Sequence, residues 1–148
     1  MEKDFLKSKL HNHNKRITPQ REAVYNALLN DKNHPSAEEI HKGIIDKFPN
    51  LSLATVYQIL NMFENELNLV KSIIVDNTKH YEIDSQFHVH LICPECNQIR
   101  DIYSDKIKSF WENLVHELEI NPKDQTIKIY QVCTDCDKKL KKKLEFNF

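Results

Sequence analysis

All four cysteines of this 148-residue chain lie in two Cys-x-x-Cys pairs, Cys93 with Cys96 and Cys133 with Cys136. Each pair follows a run that favours a β-strand, so each can present two sulfurs to one point. Four thiolates in tetrahedral geometry are the ligand set that structural Zn²⁺ prefers. Four unlinked buried cysteines are the weaker alternative, and a thioredoxin-like redox pair would need a βαβ context that the sequence lacks. The pattern predicts a zinc site that stabilises the fold and leaves no open position for catalysis.

A second group of residues combines histidines with carboxylates. His88 and His90 alternate along a predicted strand, so both side chains lie on the same face. Glu82 precedes this pair, Asp101 falls in the next predicted strand, and His34 lies in a loop far upstream. Taken singly, the His-x-His pair is equally typical of a polar strand face, and His34 of an ordinary loop. Three imidazoles and two carboxylates without a thiolate suit Fe²⁺, Mn²⁺ or Zn²⁺, and affinity order alone does not choose among them.

Composition excludes several classes of function. The chain has 40 % hydrophobic and 29 % charged residues and one glycine, which excludes glycine-rich phosphate loops and dinucleotide-binding fingerprints. No GxSxG or HExxH motif is present, so we expect no enzyme. No apolar run is long enough to span a membrane, and the N-terminus lacks the apolar core of a secretory signal. We therefore expect a cytoplasmic protein with reduced thiols and no membrane partner.

Residues 1–84 predict three helices followed by a β-hairpin. Thr18 with Pro19 begins the first helix, Ser36 with Glu39 forms a capping box at the second, and Ser52 can cap the third. The helices are expected at about 19–30, 37–48 and 53–67, and the strands at 69–75 and 79–83 around a polar turn at 76–78. This order is typical of a winged helix-turn-helix domain that binds DNA.

The third helix is the most regular of these elements. Apolar residues recur along it at helical spacing: Leu53, Val56, Leu60, Phe63 and Leu67. The other face is polar, although its tyrosine could also be a core-edge aromatic. The net charge of −1 is not typical of a nucleic-acid binder, but residues 1–21 hold six basic against two acidic residues. A solvated helix face is the alternative to phosphate contacts there. The predicted DNA-binding residues are Lys15, Arg16, Arg21, Ser52, Thr55, Tyr57 and Gln58.

Residues 85–148 have a different pattern and predict a small α/β domain. Strands are expected at 89–92, 98–103 and 126–132, and helices at 105–118 and 134–143, after a polar connector at 84–86. A domain this small has a marginal core, so a zinc site or a partner subunit should stabilise it. The whole chain is therefore predicted to be α+β, with domains at 1–84 and 85–148.

Four segments together resemble the ferric uptake regulator family. They are RITPQR at 16–21, HPSAEEI at 34–40, FPNLSLATVY at 48–57 and HVHLICPEC at 88–96, and the match continues to Cys136. The resemblance implies a dimeric, metal-dependent transcriptional repressor whose second domain dimerises and binds metal. It also implies a structural zinc at the four cysteines and a regulatory metal at His34, Glu82, His88, His90 and Asp101.

The signal to which such a repressor responds is less directly encoded. Glu82 is similar to the iron-sensing branch, whereas Gln58 resembles peroxide-responsive members. A further metal site of iron regulators lacks its ligands, because the corresponding positions hold Phe87, Val89, Lys108 and Gln125. We predict a homodimeric repressor that senses peroxide through Fe²⁺ or Mn²⁺ and binds an A/T-rich inverted repeat. An iron-responsive repressor is the first alternative, zinc- or manganese-responsive repressors follow, and a metal-buffering zinc protein without DNA binding is the alternative from another class.

Overall fold

The computed structural model describes residues 2–83 and 86–145, and the chain folds as two compact units, residues 1–84 and 85–148. Both units combine helices with strands, which confirms the predicted α+β class. The predicted connector at 84–86 lies mostly outside the described residues. Within the described part of the chain, no helix combines the length and apolar character that a bilayer-spanning segment requires.

The first unit is a winged helix-turn-helix. Its elements are α1 (Glu2–Asn12), α2 (Pro19–Asn30), α3 (Ala37–Ile44), α4 (Leu53–Asn61), a π-helical turn (Met62–Glu66), β1 (Lys71–Val75) and β2 (Thr78–Glu82). The three predicted N-caps are confirmed, because the hydroxyls of Thr18, Ser36 and Ser52 each accept a hydrogen bond from the backbone N–H three residues later. Glu39 completes the capping box by accepting from the Ser36 backbone N–H at 2.7 Å.

The wing is a two-stranded antiparallel hairpin. Its turn is shorter than predicted, because Thr78 pairs with Val75 and only Asp76 and Asn77 form the loop. Both loop residues have positive φ, 48° and 60°. That conformation matches the twist of two-residue hairpins, and Asp and Asn tolerate it better than most residues. The register places Lys71 opposite Glu82 at the open end of the hairpin.

Three features of the first unit differ from the predictions. The sequence pattern predicts no helix before Thr18, yet α1 is present and buries Leu6 and Leu10 completely in the core. The second predicted helix ends at Ile44 rather than near residue 48. The third becomes π-helical after Asn61, where the wider turn lets the adjacent Met62 and Phe63 both be buried.

The second unit is a three-stranded sheet with two helices. Its elements are β3 (Val89–Ile92), β4 (Ile99–Ile102), α5 (Asp105–Glu117), β5 (Ile127–Tyr130) and α6 (Thr134–Glu145). The strand order is β4-β3-β5, with β3 antiparallel to β4 and parallel to β5. β5 is therefore an edge strand within this unit. No residue of α5 is buried, and several large apolar side chains of the unit are exposed: Phe110, Leu118, Ile120, Ile129 and Tyr130.

Candidate metal centres and DNA-binding face

The four cysteines converge at one point of the second unit. Each Sγ lies within 4.8 Å of the other three, and the sulfurs of Cys96 and Cys133 are 3.8 Å apart. Two thiolates at about 2.3 Å from a tetrahedral Zn²⁺ lie about 3.8 Å apart, so this separation fits a shared zinc ion. β3 ends directly before Cys93, and the segment after β5 supplies Cys133. The parallel pairing of these strands therefore brings the two Cys-x-x-Cys pairs together.

The acidity of the thiols also favours a bound cation. The backbone N–H of Cys133 donates to Cys93 Sγ at 3.3 Å, and this bond lowers the pKa of Cys93 to about 6. The neighbouring Cys133 sulfur has the opposite effect on Cys136, whose pKa is raised to about 12. Cys93 is thus stable as a thiolate at neutral pH, while the Cys136 thiol stays protonated. A divalent cation is what allows all four sulfurs to ionise together, so the cluster suits a structural Zn²⁺.

Two of the predicted regulatory ligands meet in the first unit. Nε2 of His34 lies 3.0 Å from Oε2 of Glu82, although the residues are 48 positions apart. His34 is only 2 % exposed and adopts a left-handed backbone with φ 55°. Strand β2 of the wing places Glu82 beside the loop between α2 and α3. The His34 nitrogen and the Glu82 oxygen therefore lie side by side.

The other three predicted ligands meet in the second unit. His88 and His90 bring their Nε2 atoms within 3.0 Å of each other. Asp101, which pairs with His90 across β3 and β4, places Oδ1 at 3.8 Å and 4.0 Å from these nitrogens. Two nitrogens that each lie about 2.1 Å from one ion, with a right angle between the two metal–nitrogen bonds, are about 3.0 Å apart. The Nδ1–H of His88 donates to the Gln86 carbonyl at 2.8 Å, so the neutral ring carries its lone pair on Nε2, the nitrogen that faces His90 and Asp101.

The predicted DNA-binding residues lie around the N-termini of α2 and α4. Arg21, Thr55 and Gln58 line one surface cleft, which brings the two helix starts together. Arg16, Ser52, Tyr57 and Gln58 are exposed, and Lys15, Arg21 and Thr55 are half-buried.

Several of these side chains already have protein partners. Lys15 forms an ion pair with Glu66 at 2.6 Å, and the Arg21 guanidinium donates to the Arg16 carbonyl. The Tyr57 hydroxyl donates to Glu38 Oε1 at 2.7 Å. This bond lowers the pKa of Glu38 and raises the pKa of Tyr57. Tyr57 therefore presents its 41 % exposed ring, rather than a free hydroxyl, to a ligand on this face.

Two residues outside the predicted ligand set lie close to the histidines. Nδ1 of His80 lies 2.7 Å from the His34 carbonyl oxygen. The ring centroid of Tyr103 lies 5.5 Å from that of His88. The period-2 spacing of His80 from Glu82 indicates that both side chains lie on one face of β2, but it does not predict that this face meets the His34 loop.

The sequence profile of the ferric uptake regulator family matches residues 12–130. The chain belongs to the ferric uptake regulator family. Two similar members are the peroxide operon regulator of Bacillus subtilis, 36 % identical over 125 residues, and the peroxide-responsive repressor PerR of Staphylococcus epidermidis, 32 % identical over 122 residues. The matches cover 84 % and 82 % of this chain and 86 % and 81 % of the relatives, respectively.

Solved structures of other members of the family have the same fold. The Helicobacter pylori ferric uptake regulator Fur, described as having three functional metal-binding sites, matches with a TM-score of 0.78 and 27 % identity over 90 % of each chain. The Campylobacter jejuni peroxide stress regulator matches with a TM-score of 0.70 and 29 % identity, over 90 % of this chain and 97 % of the other. These likenesses confirm the winged-helix unit and the second α/β unit as a ferric uptake regulator fold.

Proposed function

We propose that this member of the ferric uptake regulator family is a metal-dependent repressor that responds to peroxide. The observation that carries the proposal is the pair of thiolate-free clusters, His34 with Glu82 and His88 with His90 and Asp101. Nitrogen and oxygen ligands of this kind hold Fe²⁺ or Mn²⁺ in an exchangeable way, unlike the four-thiolate zinc site. The peroxide-regulating relatives support this signal over the iron-responsive alternative. The exposed Tyr57 face on α4 argues against a metal buffer, which needs no such surface.

In this proposal the five ligands bind one regulatory ion. Imidazole nitrogens come from three histidines and carboxylate oxygens from Glu82 and Asp101. When bound, Fe²⁺ supplies the one-electron reduction of peroxide, which Mn²⁺ does not readily perform. Among the ligands, the resemblance to peroxide-responsive members singles out His34 and His88. Their imidazole rings are readily oxidised. Each becomes a poorer ligand once it gains an oxygen, so oxidation weakens metal binding.

The proposed ligands come from both units, and this couples metal binding to DNA binding. Ligands from residues 1–84 and from residues 85–148 on one ion hold the two units at a fixed angle. In a dimer, that angle sets the spacing of two α4 helices so that they match two half-sites of an inverted repeat. Metal and DNA binding then favour each other reciprocally. The cysteine site stays occupied throughout, and reduced thiols at that site suit a cytoplasmic location.

Metal-dependent DNA binding is the direct test of this proposal. In a mobility-shift assay on an A/T-rich inverted repeat, the zinc-loaded protein should shift the DNA when Mn²⁺ is present and not when it is absent. Arg16→Ala should weaken this complex on all sequences alike and reduce the slope of log affinity against log salt by about one, because one phosphate contact is lost. Tyr57→Phe should have a smaller effect, since the Tyr57 hydroxyl is held by Glu38.

The matched control for Arg16→Ala is Lys47→Ala. Lys47 is exposed on the same unit but lines a groove between α2 and α3, away from the cleft of Arg21 and Thr55. Equal losses of affinity and salt slope in both variants would place the DNA on a different face. A shift that is independent of Mn²⁺ would contradict the proposed regulation.

The second unit supplies the dimer interface in this proposal. β5 is an edge strand, and its Ile129 and Tyr130 side chains are exposed together with Phe110 on α5. Exposed apolar groups next to an unpaired strand edge favour association with a second copy of the chain. The small core of this unit gains the burial that it lacks when such a copy covers this surface.

Replacement of Phe110 by Asp should convert the dimer into a monomer. Phe110 is 67 % exposed, so its loss removes little core packing, whereas a carboxylate buried in the interface destabilises it strongly. Sedimentation equilibrium of the zinc-loaded protein measures the outcome. Ser109→Asp is the matched control, because it adds the same charge one residue away, about 100° around α5 on its polar side, and should leave the dimer intact. A dimeric Phe110→Asp protein would exclude this interface.

A further inference from the structure

His80 makes an unexpected contact in the first unit. It lies two residues before Glu82 on β2, so the pleat places both side chains on the same face of the wing. Its Nδ1 lies 2.7 Å from the backbone carbonyl oxygen of His34, while Glu82 meets the ring of the same histidine at 3.0 Å. One strand therefore holds both the backbone and the ring of His34.

The His34 backbone needs such support. Its φ of 55° is in the left-handed region, where the β-carbon of a non-glycine residue is crowded and the conformation persists only when the surroundings enforce it. The adjacent loop is held by a hydrogen bond from the Tyr81 N–H to the Pro35 carbonyl at 3.0 Å and by a β-bridge between Ser36 and His80. Those are main-chain contacts that any residue could make at these positions. The bond to the His34 carbonyl itself depends on the side chain at position 80.

We propose that His80 is a positioning residue that holds His34 ready to bind the regulatory metal. The inference rests on the function proposed above and adds a residue outside the five ligands. A loop that is already ordered loses less conformational freedom when its ligand engages an ion, so the ion binds more tightly. Outer contacts of metal ligands commonly change metal affinity by 10- to 100-fold, and a contact to the ligand's backbone belongs at the lower end of that range.

Replacement of the side chain at position 80 tests this inference through metal affinity. Full-length, zinc-loaded protein is titrated with Mn²⁺ alone, and free Mn²⁺ is measured by electron paramagnetic resonance. His80→Leu should bind Mn²⁺ about tenfold more weakly than the unmodified protein. His80→Asn should bind it almost normally, because the Asn amide nitrogen occupies the position of Nδ1. In His80→Gln the amide nitrogen occupies the position of Nε2 instead, so this variant should behave like His80→Leu. It replaces the leucine variant in the test if that variant does not fold.

His41→Leu is the matched control. The His41 ring makes the same kind of bond, from Nε2 to the Leu51 carbonyl at 2.7 Å, but among the described residues it contacts none of the proposed ligands. It should lower the unfolding temperature and leave Mn²⁺ affinity unchanged. Normal affinity in the leucine and glutamine variants, weak binding in His80→Asn, or an equal loss in His41→Leu would overturn the role of His80. An unmodified protein that binds no Mn²⁺ would instead overturn the proposed function.

Discussion

Peroxide should add one oxygen to His34 or His88 in the iron-loaded protein and release it from DNA. Both imidazoles belong to the proposed ligand set, and the oxidant formed there reacts within a few ångströms of its origin. Imidazole is more readily oxidised than the carboxylates of Glu82 and Asp101. A weakened ligand releases the metal, and the metal-dependent DNA binding proposed above is then lost. Affinity for the operator should then fall by roughly 5- to 150-fold, the range of typical coupling free energies.

Mass spectrometry of digested protein, run beside a DNA-binding assay, measures both effects. The Mn²⁺ form is the matched control and should show neither oxidation nor loss of DNA binding. His41 and His116 serve as internal controls, because they belong to neither histidine cluster and their peptides should keep their mass. Reversible loss of iron without histidine oxidation would contradict peroxide sensing and favour the iron-responsive alternative that Glu82 resembles.

Replacement of Cys96 or Cys133 by serine should remove zinc and unfold residues 85–148. Structural zinc contributes an apparent binding free energy of about 10–16 kcal/mol in small zinc peptides, and this becomes folding free energy. A core of this size rarely supplies more than about 3–5 kcal/mol by itself. The described residues of α5 include none that is buried, so little packing remains to compensate. Loss of the second unit also removes the dimer.

Zinc content and the thermal unfolding of each variant provide the measurement. Thr134→Ser changes a residue between Cys133 and Cys136 but keeps all four thiols. This variant should therefore retain zinc and unfold at the normal temperature. The first unit has its own core, including Val24, Val56 and Phe63, and should remain helical in the cysteine variants. A serine variant with unchanged melting and an intact dimer would contradict a stabilising role for zinc.

The local signals of the sequence were sufficient for most elements. Each N-cap at Thr18, Ser36 and Ser52 depends on a side chain and a backbone N–H only three residues apart, so short patterns predict it reliably. The missed helix α1 has only Leu6 and Leu10 as an i, i+4 pair within a charged stretch. So short a pattern does not predict a stable helix by itself. α1 is present because the core of the first unit buries both leucines.

Residue types and their spacing by themselves determined the zinc chemistry of the two Cys-x-x-Cys pairs. For the His-x-His pair they left a metal ligand and a polar strand face equally open, and the resemblance to the family indicated the metal. Only the tertiary structure decided which distant groups meet. The pairing of His34 with Glu82, the contact of His80 with the His34 backbone and the hold of Glu38 on Tyr57 join residues 19 to 48 positions apart. These contacts depend on the packing of the wing and of α3 against their neighbours, and no local pattern encodes that packing, because its energy comes from burial shared by the whole unit.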